Sequence, residues 1–169
     1  MNAKEVLLLS LEQSQGYLVK ALDGLTQAEI AWSPNAESNS IAFILWHMTR
    51  VEDYYVTRVI QRLPEVYEAE GWREKLGTPV KNTGFEYNAE QLKSWPVPPL
   101  EILRGYANAV RGKTLAFLES IPPEKLAEPY RPERSPQDSG TLLARIFTEI
   151  ALHVGQICYL RGIQRGLDK

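Results

Sequence analysis

Four stretches of this chain repeat apolar residues at three-and-four spacing, and no sustained period-two alternation competes with them. The first runs from about Ala3 to Leu25 and carries Leu7, Leu8, Leu11, Leu18 and Leu22 on one stripe. A second begins at Ile41, where Asn39 or Ser40 is placed to cap it, and continues to about Arg62, stopped by Pro64. A third follows Pro98-Pro99, carries Leu103, Tyr106, Ala107, Val110, Phe117 and Ile121, and ends at Pro122-Pro123. A charged, proline-rich segment then leads to Asp138 or Ser139 as the cap of a fourth helix, from about Gly140 to Gln164, with Gly166 as its stop. Amphipathic helices without partner strands bury their stripes only against one another, so the expected fold is all-α, a four-helix bundle forming one domain over residues 1–169.

The 63–99 connection is too long for a bundle loop. It holds Tyr67, Trp72, Phe85, Tyr87 and Trp95, and Glu65 to Leu76 reads as one short helix. Such a link serves as a crossover that lets the second and third helices run parallel, as a lid over a site, or as a partner surface; the first two are expected together.

Composition excludes several functions. With 44% apolar and 24% charged residues the chain has a core to pack. A net charge of −2, with the signs mixed along the chain, supplies no basic stripe for nucleic acid. No apolar run approaches the roughly 20 residues of a membrane span. The segment MNAKEVLLLSLEQSQ has a short, interrupted apolar stretch and no small-residue cleavage site, so a cytoplasmic protein is expected. A lone cysteine, Cys158, suits a reducing compartment and reads as packing.

The chain has two histidines, and both fall in the middle of apolar helices. At about 100° per residue, Phe43, Ile44, Arg50, Val51 and Tyr54 share the face of His47. Leu142, Ile146, Glu149, Ile150, Gln156, Ile157 and Leu160 fall within roughly 60° of His153. Both histidines therefore point inward, and Glu149 with them. An inward carboxylate needs compensation, because an isolated buried charge costs several kcal/mol or more. A divalent cation would supply it, held by Glu149 and His153 at i and i+4 with His47 from a facing helix. An internal ion pair of Glu149 with Arg50 or Arg145 would supply it as well, and the spacing leaves both readings open. Arg50, Tyr54 and Gln156 are placed to orient ligands or to meet an anionic substrate, the plainer alternatives being a helix–helix hydrogen bond for Gln156, a core position for Tyr54 and a solvent-directed Arg50. Glu52 and Asp53 fall away from His47 and read as surface or inter-helix salt-bridge residues.

SIAFILWHMTRVEDYYV resembles the second helix of DinB/YfiT-like proteins, which has one inward histidine followed by a polar, often acidic stretch. HVGQICYLRG resembles that family's closing H-x-G-Q-I segment. The likeness extends to the order of the four helices and the long link between the second and third. It implies a divalent-metal site in which His47 and His153 are ligands. It also implies a departure, since Glu149 stands where the family has the first histidine of an H-x-x-x-H pair. Two histidines and a carboxylate still hold a divalent ion with open positions; zinc or nickel is expected first, iron or manganese next. The resemblance implies a metal-dependent transferase or hydrolase-like enzyme acting on a small molecule such as a thiol, and a homodimer. The alternative is a non-catalytic small-molecule-binding or stress-associated dimer with a degenerate metal site.

Overall fold

Five polar side chains start the principal helices by accepting backbone N–H groups that have no partner within the helix. Asn2 caps α1 (Ala3–Leu22), Thr26 caps α2 (Gln27–Ala31), and Ser40 caps α3 (Ile41–Glu52). Asn88 caps α6 (Ala89–Ser94), and Asp138 caps α8 (Ser139–Arg165). Between α3 and α6 come α4 (Val66–Ala69) and α5 (Trp72–Leu76), and α7 spans Leu100–Ser120. The computed structural model describes residues 1–78, 82–131 and 133–166; residues 79–81 of the long link, Pro132 of the charged segment and residues 167–169 lie outside them.

The four expected helices are α1, α3, α7 and α8. Each long neighbour pair is visible in its packing: α1 lies against α8, α8 against α3, α3 against α7, and α7 against α1. Directions follow from side chains that reach across. Lys4 at the start of α1 donates to the carbonyls of Glu119 and Ile121, and Arg104 near the start of α7 donates to that of Leu22, so α1 and α7 are antiparallel. Arg161 donates to the carbonyls of Ala21 and Asp23, so α1 and α8 end together; Arg104 and Arg161 thus sit at the negative end of α1. Arg50 meets Tyr106 and Glu52 meets Arg111, so α3 and α7 run parallel, which is the geometry the long link exists to make.

Several expectations at the level of local structure change. The first helix ends at Leu22, and α2 follows it. The second helix does not stay α-helical: Asp53–Ile60 is wound as a π-helix. The single helix expected over 65–76 is two, parted at Gly71, whose φ of 69° lies in the left-handed region. The expectation of no strands is corrected by a small antiparallel hairpin, Pro129–Arg131 with Ser135–Asp138, too short and too rich in proline to leave a period-two signal.

The core runs through all four helices, and α3 is its axis, because every residue from Ile41 to Glu52 is buried. A helix buried on every side needs cover beyond its bundle neighbours. The long link supplies it: Trp95 and Tyr87 pack tilted or edge-on against Phe43 and Trp46, and Tyr67 packs beside Arg50.

Candidate metal centre

His47 lies at the middle of α3, and Glu149 and His153 lie one turn apart on α8, which packs against it. One ligand atom from each of the three comes within 4.8 Å of the others. The Glu149 Oε1 stands 3.9 Å from Nε2 of His47 and 3.9 Å from Nε2 of His153, and the two imidazoles meet edge to face with centroids 5.0 Å apart. The cluster is graded in exposure. The His47 side chain is 10% exposed, that of His153 17% and that of Glu149 36%, so one side opens to solvent.

The far side of each ring is tied down. His47 Nδ1 lies 2.6 Å from the Thr83 carbonyl oxygen, and a carbonyl only accepts, so Nδ1 carries the hydrogen. His153 Nδ1 lies 2.9 Å from Gln156 Oε1 and donates to it in the same way. In a neutral imidazole the other nitrogen is then an unprotonated acceptor. Burial pushes His47 below the ordinary histidine range, the Thr83 hydrogen bond opposing it, so the ring is neutral at pH 7. Two lone pairs and a carboxylate oxygen thus face one another. A shared proton satisfies such a set poorly, since 3.9 Å is too long for a hydrogen bond. A divalent cation fits: tetrahedral donors about 2.1 Å from an ion lie roughly 3.4 Å apart, so Glu149 needs to draw in toward each histidine by about half an ångström. The Nδ1 partners supply the outer hydrogen bonds that metal-bound histidines regularly have.

Sequence reasoning named Gln156, and it stands beside His153. It also named Arg50 and Tyr54, which the structure does not bring to the three ligand atoms. Arg50 is 1% exposed; its Nη1 donates to Glu65 at 2.7 Å and to the Tyr106 hydroxyl at 3.2 Å, and its Nε donates to the Asn82 carbonyl at 3.4 Å. Tyr54 is 38% exposed and packs edge-on against Tyr55. Glu52 and Asp53 belong to inter-helix contacts: Glu52 holds Arg111 through two 2.9 Å hydrogen bonds, and Asp53 is 0% exposed.

The residue that sequence reasoning missed is Thr83, because a backbone carbonyl leaves no mark in residue type. The signal nearby was Gly84. Its φ is 81°, and a Cβ there would lie 2.5 Å from Trp46 and 3.0 Å from Phe43, so only glycine lets the link lie flat enough on α3 for Thr83 to reach His47. Gly84→Ala is expected to lift this segment, weaken metal affinity by roughly 10-fold or more and destabilise the fold by about 1–3 kcal/mol. Competition titration with a chromophoric chelator and thermal denaturation measure the two; unchanged metal affinity would separate Thr83 from the site.

Comparison with known proteins bears on the family and the fold. The family model described as the DinB superfamily matches residues 10–157. No curated protein matches the chain. The crystal structure of a conserved protein from Enterococcus faecalis superposes with a TM-score of 0.86, covering 99% of both chains at 19% identity, a likeness of fold.

Proposed function

The chain belongs to the DinB superfamily, and from that premise we propose that it is a divalent-metal enzyme acting on a small molecule, with His47, Glu149 and His153 as the ligands. The observation that carries the reading is the convergence of three acceptors, each imidazole fixed by its Nδ1 partner, with no hydrogen bond among them. Three protein ligands leave coordination positions open, as catalytic sites require and closed structural sites do not.

Each residue has a definable part. His47 and Thr83 anchor the buried side, so its Nε2 is aimed before any ion arrives. His153, steadied by Gln156, closes the set from α8. Glu149 supplies one negative charge to a cation and, as the most exposed of the three, lies on the side from which a substrate enters. Held by these three residues, a divalent ion would supply Lewis-acid chemistry, lowering the pKa of a thiol or water. A carboxylate beside two imidazoles suits zinc and nickel and moves the preference toward iron or manganese relative to three imidazoles. The substrate proposed is a small thiol, in keeping with the family resemblance.

The test is a thiol-transfer screen. Protein loaded with zinc, nickel, iron or manganese is mixed with small thiols and 1-chloro-2,4-dinitrobenzene, beside His153→Ala. Metal-dependent thioether formation that His153→Ala abolishes is the expected result; rates equal in both proteins and indifferent to metal would contradict the catalytic reading.

A further inference from the structure

The peptide unit that joins Thr83 to Gly84 is gripped at both of its edges. Its carbonyl oxygen lies 2.6 Å from His47 Nδ1, and its N–H, carried by Gly84, donates to Asn82 Oδ1 at 3.1 Å. A trans peptide is planar and rigid, with N–H and C=O pointing in opposite directions, so whatever fixes the one aims the other. A backbone N–H only donates, which sets the Asn82 amide with its oxygen toward Gly84. The same oxygen then accepts the Tyr87 hydroxyl at 3.0 Å. The Tyr87 ring is itself held, its centroid 5.5 Å from that of Phe43 and 6.3 Å from that of Trp46. Behind the amide, the Asn82 carbonyl accepts Arg50 Nε at 3.4 Å.

The backbone between Asn82 and Tyr87 is bent to allow this clasp: Gly84 at φ 81° and Glu86 at φ 60° both lie in the left-handed region. Glycine takes it freely, whereas a glutamate there persists only where its surroundings over-determine it. The Tyr87 hydroxyl reaching back to Asn82 supplies such a constraint. Asn82 is exposed and stands in no helix, so the clasp buries little. What it fixes is the direction of one carbonyl, whose partner is His47.

The two ring nitrogens of a neutral histidine share one hydrogen, and the partner of one decides the other. With Thr83 accepting, Nδ1 carries the hydrogen and Nε2 keeps a lone pair toward Glu149 and His153. An N–H that donates to Asn82 also polarises its own peptide, which strengthens the Thr83 carbonyl as an acceptor. We propose that Asn82 is a positioning residue for the metal centre: through the Thr83–Gly84 peptide it holds His47 in the Nδ1–H form and leaves Nε2 free to ligate. The proposal rests on the reading of His47 as a metal ligand, and Tyr87 is the second arm of the clasp.

Metal-free full-length protein labelled with ¹⁵N-histidine is read by long-range ¹H–¹⁵N correlation at about pH 8, where both rings are neutral, the His47 signals being identified by their loss in His47→Ala. Wild type is expected to show Nδ1 protonated and Nε2 bare. In Asn82→Ala the His47 ring is expected to shift toward the Nε2–H form, while His153, whose Nδ1 donates to Gln156, stays as it is. A general loosening of the fold would move both rings, so the second histidine separates positioning from stability. Asn82→Asp keeps an oxygen in the same place and is expected to keep the wild-type form. Asn82→Gln, one methylene longer, sets its oxygen out of place and should behave like alanine. Zinc affinity, measured by competition with a chromophoric chelator, is expected to fall about 10-fold in Asn82→Ala, and less in Tyr87→Phe, which loses one arm. An unchanged His47 ring in Asn82→Ala, an equal change in His153, or zinc bound equally by Asn82→Ala and wild type would each overturn the proposal. Wild type that takes up no zinc, while the His47 form still follows Asn82, would instead contradict the metal reading and leave the clasp standing.

Discussion

Asp53→Ala is expected to destabilise the protein by roughly 3–5 kcal/mol, the range for breaking a buried charge network by removing one partner. Asp53 is 0% exposed. Its Oδ1 accepts the Val66 N–H at 2.9 Å, and its Oδ2 accepts the Tyr67 N–H at 2.8 Å and the Tyr106 hydroxyl at 2.9 Å. The carboxylate therefore caps α4 from a distance in sequence and ties the long link and α7 to the π-helical segment. Arg50 Nη1 stands 3.6 Å away, and Glu65, its other acidic neighbour, is partly exposed. Alanine leaves three buried donors unpaired and weakens the compensation of a guanidinium with 1% exposure. For a chain of this length about 1 kcal/mol corresponds to roughly 2–4 °C, so the thermal midpoint should fall by about 10 °C or more. Asp53→Asn keeps one acceptor and should fall between alanine and wild type. A midpoint for Asp53→Ala within about 2 °C of wild type would contradict this view of the network.

The second large effect is on metal affinity. Glu149→Gln keeps side-chain volume and removes the charge, leaving two imidazoles and a neutral amide. Loss of a direct ligand should exceed the 10–100-fold change typical of losing an outer hydrogen-bond partner. Thermal stability without metal should hardly move, since Glu149 is exposed enough that replacing its charge strands nothing. Glu149→His is the counterpart: it places three imidazoles on the same faces and is expected to hold zinc or nickel at least as tightly as the wild type. Isothermal titration of both variants with zinc and with nickel separates the outcomes. Equal affinity in Glu149→Gln and wild type would remove Glu149 from the ligand set, and loss of all binding in Glu149→His would count against the set as a whole.

The long helices were legible because each buries a stripe, and a stripe leaves a period in the sequence. His47 and His153 were legible for the same reason, polar residues in the middle of apolar faces, and the i, i+4 relation drew Glu149 in with them. What stayed hidden depends on geometry that residue types do not encode. An apolar stripe suggests a two-faced helix, whereas α3 is buried on every side: Glu52 meets Arg111 of α7, and Asp53 just beyond it meets the long link. Tyr54, two turns beyond His47 and in the π-helical stretch, lies on the outside. Arg50 shares an ideal face with His47, yet its length lets it turn to Glu65 and Tyr106 instead. The hairpin at 129–138 has strands of three and four residues, below what alternation reveals. Gly84 carries its meaning only once Trp46 and Phe43 are seen beneath it.

The central claim is that His47, Glu149 and His153 hold one divalent ion. Its most direct test is elemental analysis by mass spectrometry of protein purified without a metal-affinity tag, beside His47→Ala and His153→Ala. The account predicts close to one equivalent of divalent metal per chain in the wild type and its loss in both variants. An absence of metal in the wild type, even after incubation with zinc, nickel, manganese and iron, would contradict it.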